Sequence, residues 1–197
     1  VFIDLDKFKF VNDTYGHHAG DQYLTEIAAL LGAALRSTDT VARWGGDEFA
    51  ILMPETQKSA AIEVANKLLR LFNEARFTIA GHELSPSASI GMALFPDHDS
   101  NLSALIVYAD AAMYQAKSDG GNCWRLYSSS PQEMQCVQEH IQWEGRLRRA
   151  LENDQFLLFY QPLLSLSDGT TPGYEALLRM EDRDGQISSH GLFMESA

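Results

Sequence analysis

Apolar and polar positions alternate along this chain with two periods, one suited to strands and one to helices. Val1 to Leu5 is a short apolar run that predicts a buried strand, with Asp4 at its end and Asp6 just beyond. Leu24, Ile27, Ala28, Leu31 and Leu35 recur at helical spacing and predict an amphipathic helix over about 20–36. Val41 to Trp44 and Phe49 to Leu52 flank Gly45-Gly46, a hairpin pattern in which glycine supplies the positive φ of a tight turn. Ala61, Val64, Ala65, Leu68, Leu69 and Phe72 mark a second helix. Ala88 to Phe95 reads as a strand stopped by Pro96, and Leu102 to Lys117 as a third helix ended near Gly120-Gly121. Cys123 to Tyr127 is a short closing strand. Strands mixed with helices in this order predict an α/β (α+β) fold, one sheet with helices packed on it.

The texture then changes. Ser128-Ser129-Ser130-Pro131 reads as a linker, followed by a helix from about 132 to 152 with few apolar positions. Two strands, Phe156 to Gln161 and Tyr174 to Leu178, enclose a Ser/Asp/Gly-rich turn. Three segments result: a domain over 1–127, a linker and the start of a connecting helix over 128–141, and the beginning of a second domain over 142–197. The sequence opens inside a predicted strand and closes at Ser196-Ala197 inside a predicted helix, so a fragment is expected.

Composition narrows the function. The 197 residues are 45% hydrophobic and 21% charged, ordinary for a globular chain. The net charge of −12 argues against binding a nucleic-acid polymer, which needs a basic footprint. Cys123 and Cys136 form no CxxC and no metal spacing, in keeping with a reducing compartment. The longest apolar stretch, Ile27 to Leu35, falls short of the roughly 20 residues of a membrane span, and no secretory signal pattern is present. A cytoplasmic location is expected, with any membrane anchor lying outside these residues. No Walker A and no G-x-G-x-x-G occurs.

The chemistry concentrates in acids. Asp47 and Glu48 follow the glycine pair, where they are either solvated turn acids or metal ligands. If the first strand neighbours the hairpin, Asp4 and Asp47 converge, and one or two carboxylates plus substrate phosphates suit Mg2+. Lys7 and Lys9 follow closely, and Asn12 and Asp21 carry the donors and acceptors needed to read a base edge. His17 and His18 lack the partners of a zinc site. Arg36 and Asp39 taken alone are a helix-end ion pair, worth about 0–1 kcal/mol if exposed.

FIDLDKFKFVNDTYGHHAGD, RSTDTVARWGGDEFAIL, SASIGMALFP and ADAAMYQAKSDGGN, taken together over about 1–127, resemble the GGDEF family of diguanylate cyclases. The resemblance implies a palm-like sheet related to nucleotide cyclases and polymerases. It also implies condensation of two GTP into cyclic di-GMP and two pyrophosphates, with Mg2+ or Mn2+, by a homodimer. Asp4, the Leu5 carbonyl and Asp47 match the family's metal ligands, Asp47 doubling as general base, and Glu48 matches the other signature acid. Lys9 and Lys117 match phosphate-side lysines, Asn12 and Asp21 the guanine-reading pair, and His17 is placed near the nucleotide. Arg36 and Asp39 match an inhibitory product-binding site. Gly121 stands where the family usually has a phosphate-binding arginine, and an opening helix with a leucine- and asparagine-containing motif is expected before Val1. Without it, the fragment is expected to fold poorly or to be inactive.

QFLLFYQPLLSLSDGTTPGYEALLRM resembles the start of an EAL domain, a TIM-barrel cyclic di-GMP phosphodiesterase. Glu175 matches its first metal-binding glutamate, and Gln161 and Arg179 match residues contacting the dinucleotide. Its later metal ligands and catalytic lysine fall beyond Ala197. Two rival readings remain: a GTP-binding module that regulates the EAL domain without cyclising, and a cyclic di-GMP receptor working through Arg36 and Asp39.

Overall fold

The structure, a computed structural model, describes residues 1–181 and 185–189. They divide into two compact units, one over Val1–Met134 and one from Gln135 onward. The helix expected at Ser196-Ala197 lies outside the described residues.

The first unit is built around β1 (Phe2–Leu5), the middle strand of a five-stranded sheet. It pairs antiparallel with β3 (Glu48–Leu52) on one side and β6 (Ala88–Met92) on the other. β2 (Thr40–Gly45) forms the expected hairpin with β3, and β7 (Trp124–Leu126) lies parallel to β6 at the far edge. Side chains alternate across a strand, so β1 presents two faces. Ile3 and Leu5, with Phe49, Ile51, Ile90 and Met92, enter the main core. Leu24, Ile27 and Leu31 of α2 (His17–Ala34) meet them there, as do Ala61, Ala65, Leu68 and Phe72 of α3 (Lys58–Glu74). Phe2, on the other face, packs against Ala109 and Met113 of α4 (Leu102–Ser118). Asp4 therefore shares the α4 face with Phe2, and this parity places it within reach of that helix.

Several elements depart from the sequence expectation. Residues 8–15 form a separate helix, α1 (Phe8–Tyr15), whose Asn, Asp and Thr content hides a two-residue apolar stripe of Phe8 and Val11. α2 starts three residues earlier than predicted. A hairpin of β4 (Phe77–Ile79) and β5 (His82–Leu84) turns through Ala80-Gly81, both at positive φ, and seats Phe77 edge-on to Tyr23. β6 stops at Met92, short of the expected Phe95.

The serine run is not slack. Ser130 precedes α5 (Pro131–Glu152), and buried Glu133 accepts hydrogen bonds from the Ser128 and Ser130 amides and the Ser128 hydroxyl. The Glu133 amide donates back to Ser130 Oγ, completing a reciprocal capping box.

In the second unit, β8 (Phe156–Leu163) pairs antiparallel with β9 (Gly173–Glu181), and β10 (Ile187–Ser189) adds a third strand. Phe156, Leu178 and Met180 pack on Trp143, Leu147 and Ala150 of α5. Among the described residues no helix is long and apolar enough to cross a membrane.

Candidate active site

The site forms where β1 ends. Asp4 sits opposite Glu48 on β3 and opposite Ser89 on β6, so its carboxylate lies in the middle of the sheet at only 6% exposure. The hairpin turn brings Asp47 beside it, and the Leu5 amide donates to the Asp47 carbonyl at 3.3 Å. Gly46 takes φ +46°, and Arg43 Nε donates to the Gly46 carbonyl at 2.9 Å, tying the turn to its own strand. From the opposite layer, Lys117 at the end of α4 places Nζ 2.7 Å from Asp4 Oδ2.

These charges set one another. Burial pushes the Asp4 carboxyl up to about 6; the Lys117 hydrogen bond and charge oppose this, and Asp47 and Asp6 add to it. Burial also raises Glu48, reinforced by Asp110, Asp4 and Asp47 and partly offset by Lys117. For Lys117, burial works against the ammonium. The Asp4 hydrogen bond and the charges of Asp4, Asp47 and Glu48 outweigh it, and its pKa rises. The site is a partly buried cluster of acids that draws in a cation.

That is the setting a divalent ion needs. Among the described residues no group of three or more His, Cys, Asp or Glu side chains is gathered to hold a metal alone. Two carboxylates, a backbone carbonyl and the phosphates of a ligand would be required, which fits Mg2+ better than a protein-only cage. The Lys117 ammonium against Asp4 is a resident stand-in for such a charge.

The remaining residues sort by place. Asn12 on α1 lies over Gly20 of α2, where an added Cβ would fall 1.9 Å from Asn12 Oδ1. Asp21 lines a cavity of about 430 Å³ with Thr25, Val41, Arg43 and Phe49. Lys9 and His17 are exposed. Arg36 and Asp39 close a short turn, the Arg36 amide donating to Asp39 Oδ2 at 3.0 Å. Asp39 Oδ1 is buried and finds no hydrogen-bond partner among the described residues. A second cavity of about 500 Å³ opens here, lined by Arg36 and Asp39 and, from α3, by Glu63, Asn66, Lys67 and Arg70. In the second unit Gln161 is paired with Glu175, and Leu157 with Arg179. Period two then puts Gln161, Glu175 and Arg179 on one face, with the Arg179 guanidinium 5.6 Å from the Phe159 ring centre.

Sequence reasoning missed Arg43, Asp110, Lys67 and Arg70. Asp110 had a signal: it stands two helical turns before Lys117 on the same helix. Lys67 and Arg70 had none, because they come to line the same cavity as Arg36 only through the packing of α3 on α2.

The family model described as diguanylate cyclase, GGDEF domain, matches residues 1–123, and the EAL domain model matches 144–197. This chain belongs to the GGDEF family. Its GGDEF domain is followed by the start of an EAL domain, the two domain types of cyclic di-GMP signalling proteins. The chain is similar to the bifunctional diguanylate cyclase/cyclic di-GMP phosphodiesterase MucR of Pseudomonas aeruginosa, 42% identical over 197 residues. That match covers 100% of this chain and 28% of MucR. It is 39% identical over 181 residues to the cyclic di-GMP phosphodiesterase PdeR of Escherichia coli, covering 92% of this chain and 27% of PdeR. The chain thus spans little more than a quarter of these relatives' lengths. Among solved structures, the GGDEF domain of YfiN (TpbB) from Pseudomonas aeruginosa matches at a TM-score of 0.63 and 40% identity. The match covers 66% of this chain and 81% of that one, so the GGDEF domain carries the likeness.

Proposed function

We propose that the GGDEF domain is a diguanylate cyclase, condensing two GTP into cyclic di-GMP and two pyrophosphates. The observation that supports this best is the meeting of Asp4, Asp47, Glu48 and Lys117 at the end of β1. Asp4, the Leu5 carbonyl and Asp47 would hold Mg2+ or Mn2+. When bound, the ion would neutralise charge on the reacting phosphate and lower the pKa of the attacking hydroxyl. Asp47 accepts the proton of a 3′-hydroxyl as its oxygen bonds to the α-phosphorus of the second GTP. The bond from that phosphorus to pyrophosphate breaks, and the step repeats in the other direction. Lys117 leaves Asp4 for the phosphates, Lys9 adds positive charge from α1, and His17 lies beside the nucleotide. Glu48 keeps the surrounding field negative until metal and nucleotide arrive. Asn12 and Asp21 read the guanine. One domain holds one GTP, so two copies must face each other. Arg36 and Asp39, with Lys67 and Arg70 opposite, offer product a cationic cavity for feedback inhibition.

The EAL segment carries a parallel proposal: Glu175 as a metal ligand, Gln161 and Arg179 as dinucleotide contacts on the same strand face, in a phosphodiesterase completed by further chain. A second reading is favoured by Gly121, which removes the usual arginine. In it the GGDEF domain binds GTP and regulates the EAL domain without making product.

The deciding experiment is chromatography of GTP and Mg2+ incubated with the longest form of the protein its gene encodes, with Glu175→Gln introduced to prevent product loss. Cyclic di-GMP is expected. Retained GTP with tight binding and no product would replace the cyclase by the regulatory module.

Gly20→Ala offers a finer check. The new Cβ displaces the Asn12 side-chain amide and stands 3.3 Å from Phe8 Cζ, so the buried ring must also give slightly. GTP affinity is expected to fall about tenfold, as for loss of one neutral hydrogen bond of about 1.5 kcal/mol, with a modest fall in melting temperature. Equal loss for GTP and ATP in a binding titration would remove Asn12 from base recognition.

A further inference from the structure

The loop after α4 is held from two sides. On the helix side it closes a Schellman cap: the Gly121 amide donates to the Ala116 carbonyl at 3.1 Å and the Gly120 amide to Lys117 at 3.0 Å. Gly120 takes φ +110° and Gly121 φ +73°. On the sheet side it meets Asp6, two residues past Asp4. The Asn122 amide donates to Asp6 Oδ2 at 2.9 Å, and Ser89 Oγ donates to Asp6 Oδ1 at 2.7 Å. Ser87 Oγ also donates to Oδ2, and the Asp6 amide donates to the Ser87 carbonyl at 2.9 Å. The carboxylate is thus a three-donor clamp joining the end of β1, the start of β6 and the loop. Asn122 Nδ2 adds a bond to Asn73 of α3 at 2.9 Å.

A Cβ at position 121 would stand 3.0 Å from both Asp6 oxygens, at a φ that disfavours any side chain. Asp6 draws the loop close to β1, so a side chain at 121 would crowd its carboxylate, which would have to give by a few tenths of an ångström.

We propose that Asp6 is a positioning residue for the nucleotide's phosphate end. It fixes the 119–122 loop against β1 and holds the cap behind Lys117. This rests on the GTP-site reading above.

The test uses 3′-deoxy-GTP with Mg2+, which lacks the attacking hydroxyl and so reports binding alone. Calorimetric titrations would compare the wild-type protein with Asp6→Ala, Asp6→Asn, Gly121→Ala and the Asp6→Ala/Gly121→Ala pair. Amide exchange at 121–123 would be followed in the nucleotide-free proteins. Asp6→Ala is expected to lose the Asn122 protection and weaken binding roughly tenfold or more, as for loss of a charged hydrogen bond. Asp6→Asn keeps the clamp's shape and is expected to restore both. Gly121→Ala should weaken binding less in the Asp6→Ala background than in the wild type, since the crowding of the carboxylate is then relieved. Unchanged affinity in Asp6→Ala, failure of Asp6→Asn to rescue, or strict additivity of the pair would each overturn the proposal. A wild-type protein that protects Asn122 yet binds no 3′-deoxy-GTP would overturn the GTP-site reading and this proposal with it.

Discussion

Asp4→Asn is expected to abolish Mg2+-dependent GTP turnover, by about 10²–10³-fold or more, while raising the metal-free melting temperature at neutral pH. The two effects have one cause. A carboxylate at 6% exposure in the middle of a sheet is a poor structural choice and a good cation ligand. Burial raises its pKa from 3.8 to about 6 despite the Lys117 contact. The folded chain therefore keeps this proton at pH values where the unfolded chain has lost it. Stability from this residue is fully present below about 4 and is lost as pH rises through about 6. Asparagine is neutral throughout, so its advantage should be absent at pH 4 and developed at pH 7. Thermal melts in a chelator at the two pH values check this. A mutant less stable than wild type at pH 7 would mean the Lys117 ion pair outweighs the burial.

The second large effect is on the scaffold. Gly91→Ala is expected to cost about 3 kcal/mol of stability, the upper part of the usual range for overpacking. Gly91 lies on β6 opposite Phe2, on the face that α4 covers. An added Cβ would fall 2.0 Å from the Ala109 carbonyl oxygen, 2.2 Å from the Met113 amide nitrogen and 2.7 Å from Met113 Cα. All three are helix backbone, so no rotamer change relieves the clash and α4 itself must move away. Lys117 travels on α4, so nucleotide affinity should fall with stability. Denaturant titration gives the first quantity and GTP binding the second. An unchanged midpoint would mean that α4 shifts on the sheet at little cost and that the close approach does not set its position.

What the sequence determined by itself was whatever short-range pattern encodes. The β2–β3 hairpin was legible because Gly45-Gly46 interrupts two runs of β-formers, and α3 and α4 because their apolar residues repeat at helical spacing. The candidate residues were legible because long ordered motifs carry them. α1 was not legible, since it buries only Phe8 and Val11 and gains its stability from packing on α2. Nor was the β4–β5 hairpin, whose strands are three residues each and whose signal was the single Ala80-Gly81 turn. Tertiary structure alone decided that Asp4 faces α4 rather than the main core. A strand's period fixes which residues share a face, and only the placement of helices says what each face meets. It likewise decided that Lys117 reaches Asp4 across 113 positions of sequence, and that Lys67 and Arg70 face Arg36. It joined Asp6 to the loop holding Gly121. From sequence, Gly121 is a missing arginine; in the fold it lies against the Asp6 carboxylate, in the loop that Asp6 holds.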